Sequence, residues 1–152
     1  MRGGPAESTI TMMRTEEPIV AAVLALFLAG CAGGAAPAGP APGIVGPEWV
    51  ATDIAGGGVG DAQITLTLEA AGRAGGRGGC NSYGGSYTLS GTALHFGPMA
   101  ATKMACAPAL MDREQRYFNA LMGVVRYALA DDGALMLTTA DGKTLLFRRA
   151  SP

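Results

Sequence analysis

The stretch "VRYALADDGALMLTTADGKTLLFRR", Val125 to Arg149, decides the fold. Short runs of β-favouring residues are separated by Asp132-Gly133 and Asp141-Gly142, dipeptides that suit tight turns, and the spacing predicts three strands in a meander. Upstream, "SYTLSGTALHF" alternates on both sides of Ser90-Gly91, placing Tyr87, Leu89, Leu94 and Phe96 on one inner face of a hairpin. In "ITLTLEA" the apolar Ile64, Leu66 and Leu68 alternate with Thr65, Thr67 and Glu69, the period of a half-buried strand.

Between these groups the alternation breaks in "APALMDREQRYFNALMGV". Leu110, Met111, Phe118, Leu121 and Met122 recur at helical spacing, Pro108 suits a first turn and Gly123 a stop. One amphipathic helix is expected there. The fold class is α+β: a mostly antiparallel, partly closed β-sheet or barrel with one covering α-helix. The glycine-rich "GGGVGDAQ" and "GRAGGRGGC" lack the strand, helix and Lys-Ser/Thr of a phosphate-cradling loop. They read as hairpin connections, with Arg73 and Arg77 solvated in the second.

Charge narrows the function. The 152 residues hold 11 Lys and Arg against 12 Asp and Glu, with Arg148-Arg149 as the only adjacent basic pair. Neutralising phosphates needs clustered cations, so no nucleic-acid partner is expected.

The N-terminal region reads as a processing signal. From Ile19 the apolar run "IVAAVLALFLAGC" is shorter than the roughly 20 residues that span a bilayer, as in a signal peptide. It ends in Leu28-Ala29-Gly30-Cys31, which resembles the lipobox of bacterial lipoproteins and implies lipidation of Cys31. Glu16 and Glu17 sit badly in a positive leader start, so translation is placed at Met12 or Met13, and residues 1–30 are set aside as signal peptide. Residues 31–47 follow as the lipidated cysteine and a tether of Pro, Gly and Ala, unable to bury enough apolar surface to offset its ordering entropy. The folded domain is expected over 48–152. The expected location is the cell envelope, lipid-anchored, in the outer membrane facing the periplasm, since Ala32 and not Asp follows the anchor.

With Cys31 removed, Cys80 and Cys106 remain in a chain exported to an oxidising space, and an even pair there is most simply a disulfide. In the chain-entropy description such a loop would add about 3.5 kcal/mol, a large share of the usual 5–15 kcal/mol of net stability.

The residues around both cysteines carry a family resemblance. Gly79-Cys80-Asn81, with Gly85 and Tyr87 at fitting offsets, then Thr102-Lys103-Met104-Ala105-Cys106 and a helix bearing Glu114, Phe118 and Leu121, resemble the META domain of the HslJ heat-inducible lipoproteins. The resemblance runs from about Pro47 to Arg149 and takes in Trp49. It implies a small α+β domain with a cysteine bridge, a bacterial envelope setting linked to heat or antibiotic stress and to motility, and no assigned catalytic activity.

Other chemistries are weaker. A Cys/His nucleophile would need His95 beside a free thiolate of Cys80 or Cys106, but His95 alternates with Leu94 and Phe96 and so points away from the core. No acid, base and nucleophile set can be assembled, and neither enzyme activity nor a cofactor is expected. A soft-metal set of Met99, Met104, Met111, His95 and a cysteine would suit Cu(I), though methionines more commonly fill core gaps. Asn81 is either a partner for local turn backbone, the favoured reading, or a binding residue. The function expected is a non-catalytic binding or scaffold module in envelope stress, meeting a protein or lipid partner. The alternative is a periplasmic enzyme inhibitor, with "GRAGGRGG" as its loop.

Overall fold

The computed structural model describes residues 43–151. The order is β1 (Glu48–Ile54), β2 (Thr65–Glu69), β3 (Arg73–Arg77), β4 (Ser82–Ser90), β5 (Ala93–Ala101), α1 (Pro108–Met122), β6 (Val124–Leu129), β7 (Leu135–Thr139) and β8 (Thr144–Arg149). Each strand pairs antiparallel with the next, and β8 returns to β1, so the sheet is a closed barrel and not the partly closed one expected. Closure rests on pairs such as Trp49 with Arg149 and Ala51 with Phe147. It gives every strand two neighbours.

The alternating runs form strands as expected. Ile64, Leu66 and Leu68 are fully buried, as are Leu94, Leu135, Leu137, Leu145 and Phe147, and together they fill the barrel. His95 is exposed opposite Thr88. One connection differs from the expected hairpin loop: "RAGGR" is strand β3, paired with β2 through Gly75 and with β4 through Gly84. Its side chains give no period-two signal, because only Ala74 buries a side chain between two glycines and two solvated arginines.

Chain direction puts the β1–β2, β3–β4 and β7–β8 connections at one end of the barrel, together with α1. The helix starts at Pro108 and stops at Gly123, as expected. Its inward face is different from the expected one: Glu114, Tyr117 and Leu121 are buried, Leu110 and Phe118 are half-buried, and Met111 and Met122 are 45% and 47% exposed. The face that closes the barrel is therefore 110-114-117-121, a run at spacings of four, three and four. Tyr117 meets Phe147 edge-on, with ring centroids 6.5 Å apart, and its hydroxyl meets that of Tyr83 at 2.6 Å. The β5–β6 seam is paired through Ala93 and Arg126, at the end away from the helix.

The opposite mouth is stopped by Ile44, which is fully buried. Its carbonyl accepts the Trp49 indole N–H at 3.0 Å, and the Gly46 N–H reaches Leu68 O at 2.8 Å. Residues 43–47 thus belong to the domain, whereas the sequence pattern assigned them to the tether. Glycine and proline on either side masked the apolar pair Ile44 and Val45. The expectations for 1–42, including the signal peptide, the start at Met12 or Met13 and lipidated Cys31, lie outside the described residues.

Candidate functional site

The residues singled out around the cysteines converge at the helix-covered end. Cys80 and Cys106 are joined by a disulfide, with Cα atoms 6.0 Å apart. It ties the turn before β4 to the segment leading into α1. Gly79 lies in that turn at φ +113°, a conformation that L side chains rarely adopt, and a Cβ there would press on Leu110 Cδ1 at 3.2 Å.

Asn81 is the node. Its side-chain N–H donates to Glu114 Oε1 at 2.6 Å, and its Oδ1 accepts from Thr102 Oγ1 at 2.9 Å and from the Met104 N–H at 2.7 Å. Its own backbone N–H and that of Cys80 both donate to Glu114 Oε2, at 2.6 and 3.1 Å. A buried carboxylate is costly without partners, and here three N–H groups supply them. The turn before β4, the segment after β5 and the helix are locked together through one amide and one carboxylate. Asn81 is buried, 6% exposed, with its oxygen and nitrogen occupied within the chain, but its partners are not the local turn backbone expected: Glu114, Thr102 and Met104 lie 33, 21 and 23 residues away.

Gly79, Cys80, Asn81, Thr102, Met104 and Cys106 are therefore brought together. Gly85 and Tyr87 are not; they stand further along β4. A Cβ at Gly85 would overlap Met99 Sδ and Pro98 O, at the irregularity in the β4–β5 ladder. Tyr87 is buried and donates its hydroxyl to Glu69 O at 2.7 Å, near the Ile44 end.

Sequence reasoning named Glu114 without its role, and missed Tyr83 and Tyr117 altogether. The spacing of Leu110, Glu114, Tyr117 and Leu121 was available as a signal, but the expected apolar stripe of Leu110, Met111, Phe118, Leu121 and Met122 leaves out both Glu114 and Tyr117. Burial raises both phenols above their ordinary range, and in Tyr117 the neighbouring Tyr83 adds to the effect.

The arrangement offers no nucleophile at the cysteines, whose sulfurs are bonded to each other. The conceived soft-metal set is not assembled either. His95 sits near the start of β5, Met104 beyond its end, and Met111 on the exposed helix face. Beside the node lies an open cleft of about 420 Å³, lined by Arg77, Gly79, Leu110 and the Arg113–Asp61 ion pair. A second, of about 520 Å³, runs between the helix and the β7–β8 turn, with Arg116, Asn119 and Lys143 on its walls. Both lie outside the barrel. Among the described residues no helix is long and apolar enough to cross a membrane.

A family model described as META domain matches residues 43–152. Among solved structures, an NMR structure of a protein from Burkholderia xenovorans is 30% identical, with 72% of this chain and 85% of that one covered and a TM-score of 0.57. A second NMR structure is 23% identical, covers 67% of this chain and 87% of the other, and at a TM-score of 0.54 shares the fold. No curated protein matches.

Proposed function

We propose a function from one premise: the chain belongs to the META domain family. It acts as a lipid-anchored protein of the bacterial envelope, held through Cys31 in the outer membrane and facing the periplasm. There it binds a protein or lipid partner under stress and carries out no catalysis of its own.

The observation that carries this reading is the filled barrel. Small-ligand sites are concave and largely preformed. Here Trp49, Ile64, Leu66, Leu94, Leu137 and Phe147 occupy the interior, Tyr117 and Leu121 close one mouth, and Ile44 closes the other. Recognition therefore belongs to the outer surface. The anchor reading is supported by Leu28-Ala29-Gly30-Cys31 at the end of an apolar run. The helix-covered end lies on the far side of the domain from the point where the chain enters at Gly43.

Radiolabelled fatty acid should enter the wild-type protein and be absent from Cys31→Ser; equal labelling of both removes the anchor. Crosslinking in intact envelope, followed by pull-down, should yield a reproducible partner. Its absence under heat and envelope stress would remove the binding role.

A further inference from the structure

Between the β5 ladder and the first turn of α1 the chain runs uncovered. Thr102, Lys103, Met104 and Ala105 are all exposed, Met104 by 59%, and no regular secondary structure holds them. Yet the segment is fixed. The Thr102 N–H donates to Ser82 O at 3.0 Å and its hydroxyl to Asn81 Oδ1. The Met104 N–H donates to the same Asn81 oxygen, and Cys106 is bridged to Cys80.

The fixing alternates along the chain. Thr102 and Met104 are tied to the protein, whereas the backbone N–H and C=O groups of Lys103 and Ala105 have no partner among the described residues. Tied and open backbone groups thus alternate along the segment, which leaves the open ones available to a partner as they are along a sheet edge. The side chain between the two ties, Lys103, makes no ion pair among the described residues. An exposed segment ordered in advance loses little further freedom on binding, which favours it as a ligand. Its open edge suits strand addition in a partner's groove.

We propose that Thr102–Cys106 is a substrate-like ligand for the cleft of a trypsin-like endopeptidase, with Lys103 entering a pocket that holds a carboxylate. Its open backbone edge pairs with the cleft, and the ties on Thr102, Met104 and Cys106 hold it there without net cleavage. This rests on the proposed binding role and names the class of its partner. It also moves the inhibitory reading away from "GRAGGRGG", which is strand β3 and its turn, to a different segment.

Trypsin and a small lysyl amide substrate test it, with the full chain in mild detergent and its bridge intact. The expected result is inhibition near stoichiometry, retained in Lys103→Arg and weakened at least about 30-fold in Lys103→Ala. Lys103 is exposed, so circular dichroism should report the same fold for both variants. Chain whose bridge is reduced and alkylated before trypsin is added should no longer inhibit and should be cut at the Lys103–Met104 bond, read by mass spectrometry. No inhibition by the full chain, equal inhibition by Lys103→Ala, or equally fast cutting with and without the bridge would each overturn the proposal. An envelope partner captured equally well by wild type and Lys103→Ala also overturns it while leaving the binding role in place.

Discussion

Asn81 donates its side-chain amide to Glu114 across 2.6 Å while its backbone N–H reaches the same carboxylate, so a turn and a helix are joined through two buried groups. Glu114→Ala would leave the N–H groups of Cys80 and the two of Asn81 without their acceptor. At about 1–3 kcal/mol for each unsatisfied buried group, a loss of about 3 kcal/mol or more is expected in urea unfolding. Asn81→Asp places a second carboxylate against the first. It should destabilise strongly at pH 7, read by the same urea unfolding.

The cysteines give a count. Protein taken from the envelope and alkylated under denaturing conditions should show no free thiol before reduction and two after it, with Cys31 blocked by lipid. Cys80→Ala should lower stability by about 2–5 kcal/mol. Two alkylatable thiols before reduction would instead mean that the 80–106 bridge is not formed in the cell.

The Tyr83–Tyr117 pair makes an asymmetric prediction. Tyr83 donates to Thr65 O at 2.9 Å, which assigns the shared proton of the 2.6 Å contact to Tyr117. Tyr117→Phe therefore removes one hydrogen bond, at about 0.5–1.5 kcal/mol, whereas Tyr83→Phe strands a buried Tyr117 hydroxyl at about 1–3 kcal/mol. Both phenols have raised values in the folded protein, so their contribution is fully present below the unfolded value near 10 and is lost as pH rises above it. Absorbance at 295 nm should show these two ionising together with unfolding, and the urea midpoint should fall above about pH 10.

How much of this was legible depends on where the information sits. Ile64, Leu66 and Leu68 declare their strand because the side-chain period is local, and Asp132-Gly133 and Asp141-Gly142 declare their turns for the same reason. Closure was not legible, since it depends on Trp49 meeting Arg149 across the whole domain, and alternation specifies a face without specifying a neighbour. Strand β3 was hidden by residues with no side chain to alternate. The convergence of Gly79, Cys80, Asn81, Thr102, Met104 and Cys106 could be read as a resemblance. Its physical cause, a carboxylate 33 residues from Asn81 in the chain, could not.

The helix face separates packing from exposure. Leu121 is fully buried and Met122, the next residue, is 47% exposed. Leu121→Ala should cost about 2–5 kcal/mol through the lost contact and the cavity, while Met122→Ala and Arg116→Ala should stay within about 0.5 kcal/mol. Urea unfolding of the three variants measures the contrast. Comparable losses for Leu121 and Met122 would mean that a different face of α1 closes the barrel.

Ile44 tests where the domain begins. If Gly43–Pro47 were only tether, truncating Ile44 would change nothing, because a solvated side chain in a mobile segment adds little to stability. In the structure Ile44 is fully buried at the barrel mouth, its carbonyl holds the Trp49 indole, and the Arg149 guanidinium both donates to Gly43 O at 3.1 Å and lies 5.5 Å from the Trp49 ring centre. Ile44→Ala should therefore cost about 2–5 kcal/mol, the range for removing a buried aliphatic side chain that leaves a cavity. Water admitted through the opened mouth should shift the emission of Trp49, the single tryptophan, to longer wavelength. Val45→Ala, one residue on and only half-buried, is the control, expected to lose less and to leave the emission in place. Unchanged stability and emission in Ile44→Ala would move the start of the domain back to β1 and leave the second mouth of the barrel open.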